Sequence, residues 1–296
     1  MPQTVPAAPT EPAPAKLNLY LHVLGHRPDG YHELQSLVAF ADCGDRVTAT
    51  GPAPDWTLDV DGPFADRLED TSAADNLVLR AARRLQASVP AARPMALRLG
   101  KDLPVAAGIG GGSADAAATI RLLARLWGGT TGAPADWADL GADIPVCLVN
   151  RPALVEGMGE RVTPVPSLPS LPAVLVNPAV PSATGAVFAA LAGRFGAPAA
   201  TPMPPPQADM AAFVAWLARQ RNDLTRPAME IAPAVGEVLA AIAGTPGALL
   251  ARMSGSGTTC FGLFATEAAA AGAARSLRQR APHWWIRETL LRGTDA

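Results

Sequence analysis

LGKDLPVAAGIGGGSADAAATIRLLARLWGG, residues 99–129, is the stretch whose reading decides the fold. It continues a short run, residues 95–99, whose composition reads as a strand. Gly108-Ile109-Gly110-Gly111-Gly112-Ser113 then packs four glycines into six positions. The residues after it are rich in alanine and leucine until Gly128-Gly129, which reads as a long helix stopped by glycine. Strand, glycine loop and helix in that order make an anion site. Positions without a Cβ let backbone N–H groups turn inward, and the helix aims its partly positive N-terminus at whatever sits there. Phosphates are the natural occupant. Ser113 adds a hydroxyl at the junction, suited to a helix cap, a phosphate or Mg2+. The competing reading is a flexible loop or a tight strand–helix contact, which the ordered flanks disfavour.

Two other phosphate loops do not fit. There is no GxxxxGK followed by Ser or Thr, so the P-loop is excluded. A dinucleotide fingerprint starting at Gly108 needs glycine where Ser113 stands, which disfavours a nicotinamide oxidoreductase.

On the N-terminal side, residues 1–14 are rich in Pro, Ala and Thr and are expected to be a disordered lead-in. Strands are expected over 17–23, 35–41, 45–50 and 56–60, with a turn at Arg27-Pro28-Asp29-Gly30 and a break at Cys43-Gly44. Asp75 is the expected cap of a helix over 77–86. On the C-terminal side, 145–148 reads as a strand or the start of a short helix, and 153–156 and 161–165 as strands. The Pro-rich stretch 163–172 marks a domain boundary, giving a first domain over 15–172 and a second over 173–296. The second half reads as strands at 173–177, 248–253, 259–264 and 284–289, with helices at 184–191, 209–220, 235–243 and 267–280. Residues 193–207 are Ala/Pro-rich and expected to be a surface loop. Strands and helices in both halves argue for an α+β or α/β fold.

Composition narrows the function. The chain has 296 residues, 49% hydrophobic and 17% charged, with a formal net charge of −2. Such a balance argues against nucleic acid as the main partner. Three cysteines, Cys43, Cys147 and Cys260, lie far apart, so no disulfide framework or zinc spacing is expected. No apolar run approaches a membrane span, and the first residues lack the basic-then-apolar pattern of a signal peptide, so a cytoplasmic location is expected.

Three segments carry a resemblance. Pro104, Val105, Ala106, Ala107, Gly108, Ile109, Gly110, Gly111, Gly112, Ser113 and Ala114 together resemble the phosphate-binding motif of the GHMP kinases. PAKLNL at 14–19 is similar to that family's N-terminal motif, and MSGSGTTCF at 253–261 to its third, glycine-rich motif. Each is weak alone; the ordered trio spans most of the chain. RPDGYHELQ at 27–35, LGADIPV at 140–146 and RNDL at 221–224 are similar to members acting on 4-diphosphocytidyl-2-C-methyl-D-erythritol. Ala106-Ala107 and Ala114 depart from the pattern, standing where many relatives have glycine and a second serine.

The resemblance implies an α+β fold of two domains, the first ribosomal-S5-like and the second ferredoxin-like. It implies ATP and Mg2+ as cofactors, and transfer of the γ-phosphoryl to the 2-hydroxyl of that cytidine-diphosphate methylerythritol substrate. This is a step of the non-mevalonate route to isoprenoid precursors. It further implies a monomer or homodimer with no nucleic-acid or membrane partner. Asp143 is the implied base or orienting carboxylate and Lys16 its electrostatic partner. Read without the family, they are a turn or capping aspartate and a surface lysine. Asn18 lies on the face of Lys16 by the strand period of two, to bind substrate or hold the lysine. Tyr31 and His32 suit a pyrimidine, one by stacking and the other by hydrogen bonding, with Phe188 for the opposite face; ordinary packing is the alternative for all three. No carboxylate cage for a metal is visible. The competing functions are another GHMP kinase, of mevalonate or homoserine type, and a nucleotide-binding regulator without catalysis.

Overall fold

The computed structural model describes residues 8–69, 72 and 75–294. Strands β1 (Thr10–His26) and β2 (His32–Pro52) form one long antiparallel hairpin, paired from Thr10↔Thr48 to His26↔His32. Strand β3 (Thr57–Asp61) runs parallel to β4 (Met95–Gly100), and between them comes helix α1 (Leu77–Ser88). The second half of β2 pairs with β4. Helix α2 (Gly111–Trp127) and the short α3 (Ile144–Val149) follow. Strand β5 (Ala153–Gly157) returns to pair with the first half of β2, and β6 (Arg161–Pro164) pairs with β5. The chain then adds β7 (Leu171–Asn177), α4 (Thr184–Ala189), α5 (Met210–Ala218), α6 (Thr225–Ile231) and α7 (Ala234–Ala243). Strands β8 (Ala248–Met253) and β9 (Cys260–Phe264), helix α8 (Glu267–Arg280) and β10 (Trp285–Leu291) complete it. The second set of strands is ordered β10-β7-β9-β8, antiparallel throughout, and meets the first at Leu291↔Ala41.

Helix α2 owes its position to small side chains. Ala114, Ala116, Ala117 and Ala118 are buried, so the helix can lie close to its neighbours, while Ile120, Leu122 and Leu123 fill the core around it. Burial of each of the larger three is worth about 1.5–3 kcal/mol. Gly128 ends the helix in the left-handed region at φ 65°, and its N–H donates back to Ala124 O and Arg125 O. The two halves share a core: Leu17 and Leu19 of β1 pack in one cluster with Phe213 and Trp216 of α5 and Phe261 of β9. The expected boundary, between residues 172 and 173, falls just inside β7, which begins at Leu171. No helix among the described residues is long and apolar enough to cross a membrane.

Several elements differ from the sequence expectation. The lead-in was expected to reach residue 14, but β1 begins at Thr10. Ala13 is fully buried, and Glu11 pairs with Arg121 and Arg125 of α2, so these residues are tied to the sheet despite their prolines. The expected break at Cys43-Gly44 is a register shift inside a continuous β2: Pro14 pairs with Gly44 but Lys16 with Phe40, and a Cβ on Gly44 would fall 2.3 Å from Ala13 O. Asn76, not Asp75, caps α1, its Oδ1 accepting from Val78 N–H at 2.9 Å. The open choice at 145–148 resolves to helix α3, and α6 was not anticipated, its seven residues being too few to show a periodicity.

Candidate active site

Helix α2 starts two residues before Ser113. Gly110 is its N-terminal cap residue in the left-handed region, at φ 64°, with no side chain capping it. Ser113, expected at the helix start, is therefore the third helical residue. The N–H groups of Gly111, Gly112 and Ser113 have no acceptor one turn earlier, so this end of the helix presents donors outward. Neighbours fix the loop from both sides. Lys16 N–H donates to Ile109 O at 2.9 Å, and the Ser254 hydroxyl donates to Gly108 O at 2.9 Å. A Cβ on Gly108 would fall 2.5 Å from Ser254 O and 2.7 Å from Gly257 N, so the third glycine-rich segment leans directly on the first.

Lys16 and Asp143, 127 positions apart in the chain, meet at this loop: Lys16 Nζ lies 2.9 Å from Asp143 Oδ2. The lysine side chain is 4% exposed and the aspartate 40%, so the pair sits at the floor of an opening. Asp143 occupies the cap position of α3 but its side chain does not cap that helix; it turns to the lysine. Gly110 completes the contact, since a Cβ there would lie 3.0 Å from Lys16 Cε. Asn18 faces the same way and accepts from Lys16 Nζ at 2.9 Å. Its amide donates to Ser36 Oγ at 2.8 Å, and that hydroxyl donates to Tyr20 O at 2.6 Å. The buried ammonium is thus held by an amide oxygen and a carboxylate, as a charge out of water requires.

A cavity of about 1070 Å³ joins these groups. Gly110 through Ser113 line it, together with Lys16, Asn18 and Asp143 and the rings of Tyr31, His32 and Phe188. The sequence expected Tyr31 and Phe188 on opposite faces of a base. In the structure it is His32 that lies against Phe188, with ring centroids 4.7 Å apart and tilted 33°. His26 stands edge-on to His32 at 5.1 Å. Burial, then the neighbouring His26, hold the His32 pKa below its usual value. Tyr31 is 56% exposed at the cavity wall.

A second cavity, of about 170 Å³, lies behind the loop, between Asn76, Leu77, Pro104, Val105 and Lys101. Ala106, Gly111 and Gly112 border both cavities. Below it is a buried charge cluster that sequence reading missed. Lys101 Nζ donates to Asp45 Oδ2 at 2.5 Å and to Asp115 Oδ2 at 2.7 Å. Asp45 Oδ1 accepts from the N–H groups of Asp102 and Leu103 at 2.6 and 2.8 Å, fixing the approach to the loop. Burial opposes the Lys101 charge, but the two carboxylates outweigh it and raise its pKa. Burial pushes the Asp115 carboxyl up to about 7, against the pull of Lys101 and with help from Asp45. The available signal was a single charge, Asp115, inside an otherwise alanine-rich run.

Residues 76–153 match the GHMP kinases N terminal domain and residues 207–283 the GHMP kinases C terminal family. The 4-diphosphocytidyl-2-C-methyl-D-erythritol kinase of Paramagnetospirillum magneticum is 51% identical over 279 residues, covering 93% of this chain and 95% of that protein. Its namesake from Parvibaculum lavamentivorans is 49% identical over 284 residues, covering 94% and 96%. A crystal structure of 4-(cytidine 5'-diphospho)-2C-methyl-D-erythritol kinase superposes with a TM-score of 0.77 at 34% identity, covering 96% of this chain and all of that one. Homoserine kinase from Cytophaga hutchinsonii shares the fold at 17% identity, with a TM-score of 0.69 over 99% of this chain and 97% of that one.

Proposed function

The chain belongs to the GHMP kinase family, with its two-domain α+β fold and ATP-dependent small-molecule kinase activity, and from that footing we propose that its acceptor is 4-diphosphocytidyl-2-C-methyl-D-erythritol, phosphorylated on the 2-hydroxyl. One observation carries the reading: a single cavity is lined by the helix N-terminus, the Lys16–Asp143 pair and the rings of Tyr31, His32 and Phe188. Those three sets of groups suit a triphosphate, a reacting hydroxyl and a pyrimidine.

Phosphoryl transfer needs an aligned oxygen nucleophile and stabilisation of charge on the phosphates, with little covalent help. The N–H groups at the start of α2 hold phosphate oxygens. Asp143 keeps Oδ2 on Lys16 and offers Oδ1 to the acceptor hydroxyl, orienting it and taking its proton. Lys16, fixed by Asn18, stabilises the charge that grows between the new alkoxide and the γ-phosphoryl. The smaller cavity beside Asn76 takes the adenosine end, and the rings of Tyr31, His32 and Phe188 take cytosine. Among the described residues no group of three or more His, Cys, Asp or Glu could hold a metal. Mg2+ would be carried on the nucleotide phosphates and water, with the Ser113 hydroxyl as the side-chain oxygen the loop could offer it. When bound, it neutralises phosphate charge.

The test is turnover with ATP and a panel of acceptors, the cytidine-diphosphate methylerythritol, mevalonate and homoserine, with product read by phosphorus NMR. Phosphorylation of the first alone is expected. Turnover of either of the others at a comparable rate would displace the reading toward another branch of the family.

A further inference from the structure

Among the Phe, Tyr and Trp rings of the described residues two are strongly exposed, Tyr31 at 56% and Phe195 at 40%, and both line the same cavity. Phe195 belongs to the Ala/Pro-rich stretch that composition marks as a plain surface loop. The backbone around it is pinned at short intervals. Arg194, one residue before, donates to Ala190 O at 2.6 Å and Leu191 O at 3.0 Å at the end of α4, and pairs with Glu230 of α6. Gly196 N–H, one residue after, donates to Val23 O of β1 at 2.9 Å. Further on, Ala197 O accepts from Arg221, and Ala199 N–H donates to Gln35 Oε1 of β2 at 2.8 Å. Phe195 is thus held in place on the wall of the cavity by its neighbours. Its ring stands edge-on to His32, with centroids 6.1 Å apart and planes at 62°, on the ring that already lies against Phe188.

One exposed ring alone is ordinary, but Phe195, Tyr31, His32 and Phe188 gathered on one cavity make a contiguous apolar lining of the kind a ligand covers. The geometry points to Phe195 as a fourth ring of the base-binding end, beside Tyr31, His32 and Phe188, a specificity residue that sets affinity for the cytidine part of the acceptor without touching phosphoryl transfer. The inference rests on the acceptor assignment above. A flat base is the ligand that suits rings meeting at an angle, since it offers one π-face for stacking and an edge for a second ring.

Isothermal titration with CDP, alongside steady-state kinetics with the full acceptor, tests it. For Phe195→Ala we expect the Kd for CDP and the KM for the acceptor to rise roughly three- to tenfold, the range of one aromatic contact. The kcat and the KM for ATP are expected to hold, and Phe195→Tyr to restore the wild-type values. An unchanged CDP affinity in Phe195→Ala overturns the inference. So does an equal loss in kcat and both KM values with a lowered melting midpoint, which marks a structural strap. Wild-type protein that fails to bind CDP overturns the acceptor assignment along with it; wild-type binding with an unaffected variant overturns this inference alone.

Discussion

Gly108→Ala should be far more damaging than Gly112→Ala, although both lie in one glycine run. Gly108 sits at φ 73°, where an alanine costs about 1–2 kcal/mol in backbone strain. Its new Cβ would also lie 2.5 Å from Ser254 O and 2.7 Å from both N and O of Gly257. Those are backbone atoms of a turn that is itself bonded to β1 and to the loop, through Asn18 N–H to Ser254 Oγ at 3.1 Å and Ser254 Oγ to Gly108 O at 2.9 Å. They cannot rotate away, so overpacking adds about 1–3 kcal/mol. A total loss of about 2–5 kcal/mol follows, together with a raised KM for ATP, because the loop must shift from the helix N-terminus. Gly112, inside the first turn of α2, has only Leu77 Cδ1 at 3.5 Å from a new Cβ. There alanine restores helix propensity, and a gain of about 0.5–1 kcal/mol is expected. Urea unfolding midpoints of the two variants, with ATP titrations of each, make the comparison. A Gly108→Ala protein within about 1 kcal/mol of wild type would refute the close approach of the two glycine-rich segments.

Asp143→Asn and Lys16→Met are each expected to lower kcat by roughly 10²- to 10⁴-fold while ATP affinity changes little, measured by turnover and nucleotide titration; near-normal turnover would remove both from the chemistry. Asn18→Leu is expected to lower kcat, because it leaves Asp143 alone to hold the Lys16 ammonium, and to cost about 1–3 kcal/mol by leaving Lys16 and Ser36 each short of one hydrogen bond, read from unfolding midpoints. Asp115→Asn tests the buried cluster through pH. The Asp115 pKa is raised in the folded state from 3.8 to about 7, so its contribution is fully present below about pH 4 and is lost as pH rises through about 7. The asparagine variant, which leaves Lys101 with Asp45 alone, should therefore gain stability relative to wild type as pH rises from about 4 to about 7; a gap that does not change with pH would contradict the assignment.

The elements legible from sequence were those whose determinants are contiguous. The α2 helix and its glycine entrance could be read because the glycines, the alanine-rich run and the stop at Gly128 lie within one short segment. Most strands of the second half were legible for the same reason. The errors fell where a distant partner overrode local composition. Residues 10–14 read as disordered, yet Glu11 meets Arg121 and Arg125, and pairing with β2 holds the rest. Cys43-Gly44 read as a break between two strands, yet β2 runs on through it with a register shift against β1.

The site divides along the same line. Motif order alone nominated the glycine loop, Lys16, Asp143 and the Tyr31–His32 pair, because each sits in a short recognisable segment. Which of them touch was a matter of packing. Asp143 could have capped α3, and its turn toward Lys16 appears only when β1 and α3 are brought beside the loop. Likewise His32 lies against Phe188, Phe195 joins them from a stretch with no pattern of its own, and Lys101 gathers Asp45 and Asp115. Local sequence sets backbone preference over a few residues, whereas side chains far apart in the chain meet through the burial of apolar surface, which local sequence does not encode.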